Sequence, residues 1–129
     1  MKNRYFLPAY SFAALILVFA SVPTGPLEKF QSFPKLIRFF LSDHSLHFFA
    51  FGILAALLCF GFYRIKYSSL PYLGIGLASL GFGLFIELYQ IFLPYRFFEF
   101  YDLISDFLGI TLALVIFGIF VKTNWPKQG

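Results

Sequence analysis

Glu87, Gln90, Arg96, Asp102 and Asp106 stand inside or beside a stretch, residues 85–109, that otherwise reads as lipid-soluble helix. An ionised carboxylate at bilayer depth costs at least ~2.5–3.5 kcal/mol, so such groups face a bundle interior or a wet cavity and find partners there. Glu87 and Asp106 are candidate proton donors or acceptors, with His47 as a third. Arg96 can hold a phosphate or a carboxylate in a bidentate fork, and Gln90 can orient a substrate. A second polar group, Asp43, His44 and His47, precedes another apolar run, with Asp43 and His47 one helical turn apart. His44, His47, Asp43 and Asp102, joined by Asp106 and Glu87, form a mixed nitrogen and oxygen set compatible with zinc or manganese, or with a proton relay. No HExxH-type signature accompanies them, so neither a metal nor any other cofactor is implied. Ser45 and Ser105 lack a local signature of an activated nucleophile.

The elements that position these groups follow from composition. Hydrophobic residues make up 60% of the 129, aromatic residues 23% and charged residues only 12%, and mean hydropathy is +0.80. Soluble chains carry roughly 25% charged residues, so this one has too few polar groups to cover a surface in water. The net charge of +4 comes from residues scattered at helix ends rather than set in a stripe, which argues against nucleic acid and for membrane orientation. Cys59 is the single cysteine, so no intrachain disulfide exists.

Four segments are long enough to cross ~30 Å of hydrocarbon: residues 5–22, 43–63, 70–93 and 102–121. The expected fold is an all-α, polytopic four-helix membrane bundle, a single domain over residues 1–129. The first segment ends at Pro23, Thr24, Gly25 and Pro26. Lys2 and Arg4 before it and Val18-Phe19-Ala20 at its end also fit a cleaved leader, but the run is long for a leader core, and a spanning helix is expected. Between the first two spans, Phe30, Phe33, Leu36, Ile37, Phe40 and Leu41 recur at helical spacing, which predicts a short amphipathic helix in the headgroup plane. Ser42 is a plausible N-cap for the second span, with Asp43 in its positive first turn. Arg64, Lys66, Ser68 and Ser69 form a basic turn before the third span, which has Pro71 in its first turn. Gly74 to Ala78 and Ser79 to Gly83 share small-residue spacing, which predicts that the third span is the central, most contacted helix. Gly109 and Ala113 repeat the spacing in the fourth, whose far end Trp125, Lys122 and Lys127 would anchor.

With four crossings the termini share a side. Cytoplasmic termini put Lys2, Arg4, Arg64, Lys66, Lys122 and Lys127 inside, against Lys29, Lys35, Arg38 and Arg96 outside. All the acids, Glu28 and Glu99 included, then fall in the outer half, and three spans offer polar edges to one shallow volume that opens outward.

At these residues the chain resembles the VanZ-like family of small four-helix membrane proteins, named for a protein of glycopeptide resistance clusters. Its first motif, an acid and a histidine four apart followed by aromatic and aliphatic residues, matches Asp43-His44-Ser45-Leu46-His47-Phe48. Its second matches Glu87, Gln90, Pro94, Arg96 and Asp102, with Gly109 as the closing glycine. The family usually has Lys where His44 stands and Asn where Asp106 stands; the second departure adds a carboxylate where an amide donor is usual. The resemblance covers about residues 41–119. It implies a multi-pass inner-membrane protein, linked in one member to reduced susceptibility to teicoplanin, and it brings no settled reaction.

Together these readings point to a site that binds or processes a membrane lipid or a lipid-linked envelope precursor, with Tyr95, Phe97, Phe98, Phe100 and Tyr101 as its aromatic belt. The alternatives are a metal or proton site, and a cluster that only fixes helix register through Arg96 with Asp102 or Glu87 and His47 with an acid of the fourth span. Polar contacts between helices in membranes average only ~0.6 kcal/mol, a weak reason to gather so many.

Overall fold

Proline and capping chemistry set most of the helix ends. The computed structural model of the protein describes residues 2–23, 32–65 and 70–124. A 3₁₀ turn over Lys2–Phe6 feeds helix α1, Leu7–Ser21, which has a proline in its first turn. Fifteen α-helical residues reach about 22 Å, and the five of the 3₁₀ turn add about 10 Å, so the two together match the hydrocarbon thickness. α1 stops where Val22 turns extended (φ −79°, ψ 137°), the conformation a following proline imposes.

Helix α2 is short, Lys35–Phe40, with Pro34 as its N-cap. All of its residues are exposed, as an interfacial helix requires. The earlier part of the expected amphipathic segment, including Phe30, lies outside the described residues. So do the Thr24 to Pro26 turn, the Lys66, Ser68 and Ser69 turn, and the Trp125 and Lys127 anchor.

Helix α3, Asp43–Ile65, starts at Ser42 as expected: the Ser45 N–H donates to Ser42 Oγ across 3.4 Å, the bond an N-cap makes to the third helical residue. Helix α4, Tyr72–Gln90, is shorter than the expected span at both ends. Pro71 is its N-cap rather than part of its first turn, so the missing proline N–H leaves the helix intact. At the other end Phe92 N–H and Leu93 N–H turn back to Tyr89 and Gln90 carbonyls, and Pro94 prevents continuation. Helix α5 runs Phe100–Asn124, slightly beyond its expected span at each end. Four helices, counting α1 with its 3₁₀ turn, are long and apolar enough to cross a membrane, and no strand occurs among the described residues.

The central helix is α3, not α4. It touches each of the other described helices, and its tightest partner is α5. Gly109 of α5 lies against the Phe48 backbone so closely that a Cβ there would land on the Phe48 carbonyl oxygen, and a Cβ on Gly52 would come within 3.1 Å of the Gly109 carbonyl. Small-residue spacing on α4 predicts a backbone approach that most of its glycines do not make: nothing lies within 4 Å of a Cβ at Gly81, and only Pro71 approaches one at Gly74. Phe51, Leu54, Ala55 and Cys59 form the buried stripe of α3 at helical spacing, against Ala9, Ile16 and Ala20 of α1, Ile75 and Ile86 of α4 and Ile110 of α5. Much of the remaining apolar surface faces outward, with Phe92 85%, Phe97 78% and Leu73 77% exposed. A surface of this kind is tolerable only where lipid is the solvent.

Candidate functional site

The end of α1, the start of α3, the end of α4 and the start of α5 meet at one end of the bundle, as the Ser21–Tyr89 hydroxyl contact at 2.9 Å and the cross-helix bonds below require. The last turn of α4 carries Glu87 and Gln90. The first two turns of α3 present His44 and His47, and those of α5 present Asp102 and Asp106.

His47 is the hub. Its Nδ1 lies 2.8 Å from Asp106 Oδ1, and its Nε2 lies 3.5 Å from Asp102 Oδ2 and 3.7 Å from Glu87 Oε1. Its ring stacks on Phe51 with centroids 5.9 Å apart and an interplanar angle of 9°. In the tautomer that donates Nδ1–H to Asp106, Nε2 is left facing the carboxylates of Asp102 and Glu87. His44 Nδ1 holds the other oxygen of Asp102 at 2.6 Å. The other oxygen of Glu87 accepts the Glu99 N–H at 3.0 Å, just ahead of α5, where the positive end of the helix dipole favours a carboxylate.

Glu87 and Asp106 are 0% exposed and Asp102 5%. Gly83 makes room for one of them, since a Cβ there would overlap Asp106 Oδ2; its small size serves a carboxylate more than a helix crossing. Among the described residues, Glu87 Oε1 and Asp106 Oδ2 have no hydrogen-bond partner, nor does Ser79 Oγ deeper in the bundle. Buried polar atoms are usually paired, and orphaned carboxylate oxygens are the costly exceptions.

A second polar belt ties α1 to the turn after α4. Gln90 Nε2 donates to the Ala20 carbonyl at 3.3 Å and Tyr95 Oη to that of Ser21 at 2.6 Å. Arg96 donates to the Val22 carbonyl through Nε at 3.3 Å and Nη2 at 3.0 Å, and to Phe19 at 3.5 Å. The expected pairing of Arg96 with Asp102 or Glu87 is therefore absent among the described residues. Carbonyls at the end of α1 take the guanidinium instead, as acceptors at a helix C-terminus do; the Phe19 carbonyl also accepts the Val22 N–H at 3.2 Å. The expected bond between His47 and an acid of the fourth span is present, to Asp106.

Between α1, α3 and α4 lies a cavity of about 510 Å³. Its walls are mostly apolar, with Phe12, Ile16, Phe19, Ala50 and Phe51 among them, while Asp43, His47, Gln90 and Arg96 supply polar groups. Asp43 thus stands on the cavity wall, apart from the acid cluster, and His47 belongs to both. Chemically, an imidazole flanked by Asp106, Asp102 and Glu87 can take up and pass on a proton.

Sequence reasoning missed the contribution of α1, whose carbonyls and apolar face close the site. Apolar residues on a spanning helix carry no mark that separates lipid contact from cavity wall. Tyr89 and Ser79 were equally unmarked. The sequence groups Glu99 with the acids of this end, but its backbone role has no side-chain signal.

No curated protein and no solved structure matches the chain. Residues 6–121 match the family described as VanZ/LLP1, and with its four apolar helices of spanning length the chain is a multi-pass membrane protein that belongs to that family.

Proposed function

We propose that the protein binds or processes a membrane lipid or a lipid-linked cell-envelope precursor, in a bacterial inner membrane with both termini cytoplasmic, and that this activity alters glycopeptide susceptibility. The observation that carries the reading is the cavity, whose apolar walls suit an acyl or prenyl chain while Asp43, His47, Gln90 and Arg96 supply a polar end for a headgroup. The Arg96 Nη1 group, which makes no hydrogen bond to the described residues, suits a phosphate or carboxylate there. A device that only locked helix register would leave no reason for the orphaned oxygens of Glu87 and Asp106, which a purely structural network would satisfy.

The test is lipid analysis of protein purified in mild detergent, followed by incubation with a lipid extract. Co-purification of a defined lipid without a change in its mass indicates binding, and a new lipid mass indicates processing. Leu15→Trp, on the cavity wall, is expected to lower lipid occupancy severalfold with the protein still folded. Glu87→Gln is expected to leave insertion intact and remove the envelope phenotype. A folded, detergent-purified protein with no lipid enriched over the detergent background would defeat the proposal.

A further inference from the structure

Three ligand-type atoms in the cluster point at one another across distances that no hydrogen bond explains. His47 Nε2 lies 3.5 Å from Asp102 Oδ2 and 3.7 Å from Glu87 Oε1, and all three donors lie within 4.8 Å of one another. At 3.5 Å and beyond, a side-chain contact of this type is weak or no hydrogen bond at all. Donors that share a tetrahedral ion at about 2.0–2.2 Å sit roughly 3.3–3.6 Å apart, close to the two distances from His47 Nε2.

The remaining atoms of these side chains are already committed elsewhere. His47 gives its Nδ1 to Asp106, Asp102 gives Oδ1 to His44, and Glu87 gives Oε2 to the Glu99 N–H. Each ligand is thus held from behind with its free atom turned inward. The Asp106–His47 pair is the carboxylate–histidine arrangement that fixes a metal-binding imidazole in the right tautomer. Glu87 Oε1 adds an independent mark: it is fully buried and has no hydrogen-bond partner among the described residues. Three carboxylates converge on His47, and a dication would cancel two of their charges in a place where uncancelled charge is expensive.

We infer that His47 Nε2, Glu87 Oε1 and Asp102 Oδ2 form a binding site for one divalent metal ion of the zinc or manganese type, with Asp106, His44 and the Glu99 N–H positioning the three ligands. One imidazole nitrogen and two carboxylate oxygens suit either ion. Three protein ligands leave a coordination position open to a further oxygen donor, the pattern of catalytic rather than closed structural sites. The site stands whether or not a lipid fills the neighbouring cavity. The more exposed group of His44, Glu99 and Asp102 shares Asp102 but has no orphaned buried atom.

The experiment uses the full chain in mild detergent, stripped with EDTA and then titrated separately with zinc, followed by elemental analysis, and with manganese, followed by electron paramagnetic resonance. About one equivalent of at least one ion is expected to bind. Glu87→Gln should abolish stoichiometric binding, and Asp106→Asn, which keeps all three ligands, should weaken it by about 10–100-fold. Leu15→Trp should keep the ion while losing lipid, so failure of the lipid reading and failure of the metal site give different results. Monodisperse wild-type protein that binds neither ion, or Glu87→Gln that binds as wild type does, would overturn the inference.

Discussion

Replacing Gly109 with alanine adds one methyl group, yet it should separate the two most intimate helices. The new Cβ would fall on the Phe48 carbonyl oxygen of α3, and a backbone carbonyl in a helix cannot swing aside as a side chain can. Overpacking costs ~1–3 kcal/mol, and this contact belongs at the upper end. Alanine returns about 1 kcal/mol of helix propensity, leaving a net loss of about 2 kcal/mol. Opening the α3–α5 contact by ~1 Å would also carry His47–Asp106 and His44–Asp102, now 2.8 and 2.6 Å, beyond hydrogen-bond range. At ~0.6 kcal/mol each, these raise the total to about 3 kcal/mol, roughly a hundredfold in the folded-to-unfolded ratio. Reversible SDS unfolding in mixed micelles measures the loss. Gly81→Ala is the control: nothing lies within 4 Å of its Cβ, so the same chemical change should be neutral or stabilise by up to ~1 kcal/mol. The reasoning is refuted if Gly109→Ala unfolds within about 0.5 kcal/mol of wild type, the spread of an unremarkable surface change, or if Gly81→Ala loses as much stability as Gly109→Ala.

Three further outcomes are expected. Gly83→Ala pushes on Asp106 Oδ2 and on a Phe51 ring carbon at 3.3 Å; because both are side chains the fold should survive with a loss of about 1 kcal/mol, while the ¹⁵N shifts of the His47 ring report a broken Asp106 bond. Arg96→Ala removes the donors that hold the Val22 and Phe19 carbonyls, at a cost of about 1 kcal/mol after discounting for exposure. Labelling of a Val22→Cys reporter should then quicken severalfold. Phe98→Cys, 40% exposed at the site end, should react with an impermeant thiol reagent added outside intact cells, against a silent background because Cys59 is buried; labelling only after permeabilisation would reverse the proposed orientation.

Much of the fold was legible in the sequence because the bilayer imposes a length and a composition that a chain cannot disguise. Continuous apolar runs meant spans, Pro23 meant a stop, and Ser42 meant a helix start, each for a local reason. The clustering of His47, Glu87, Asp102 and Asp106 was legible too, since buried charges demand company and the alternation of crossings puts these residues at one end. Helix packing was not. Gly74, Gly81, Gly83 and Gly109 look alike along the chain, and only the tertiary arrangement decides which glycine meets a backbone, which meets a carboxylate and which meets nothing. The role of Arg96 was likewise undecidable from its type, because a guanidinium takes whichever acceptors the fold brings within reach, and these proved to be carbonyls of α1 some seventy residues away in the chain. Orientation within a side chain lies furthest from the sequence: that one oxygen of Glu87 is satisfied by a neighbouring N–H while the other faces His47 unpaired depends on where α5 begins in space, and no pattern of residue types contains it.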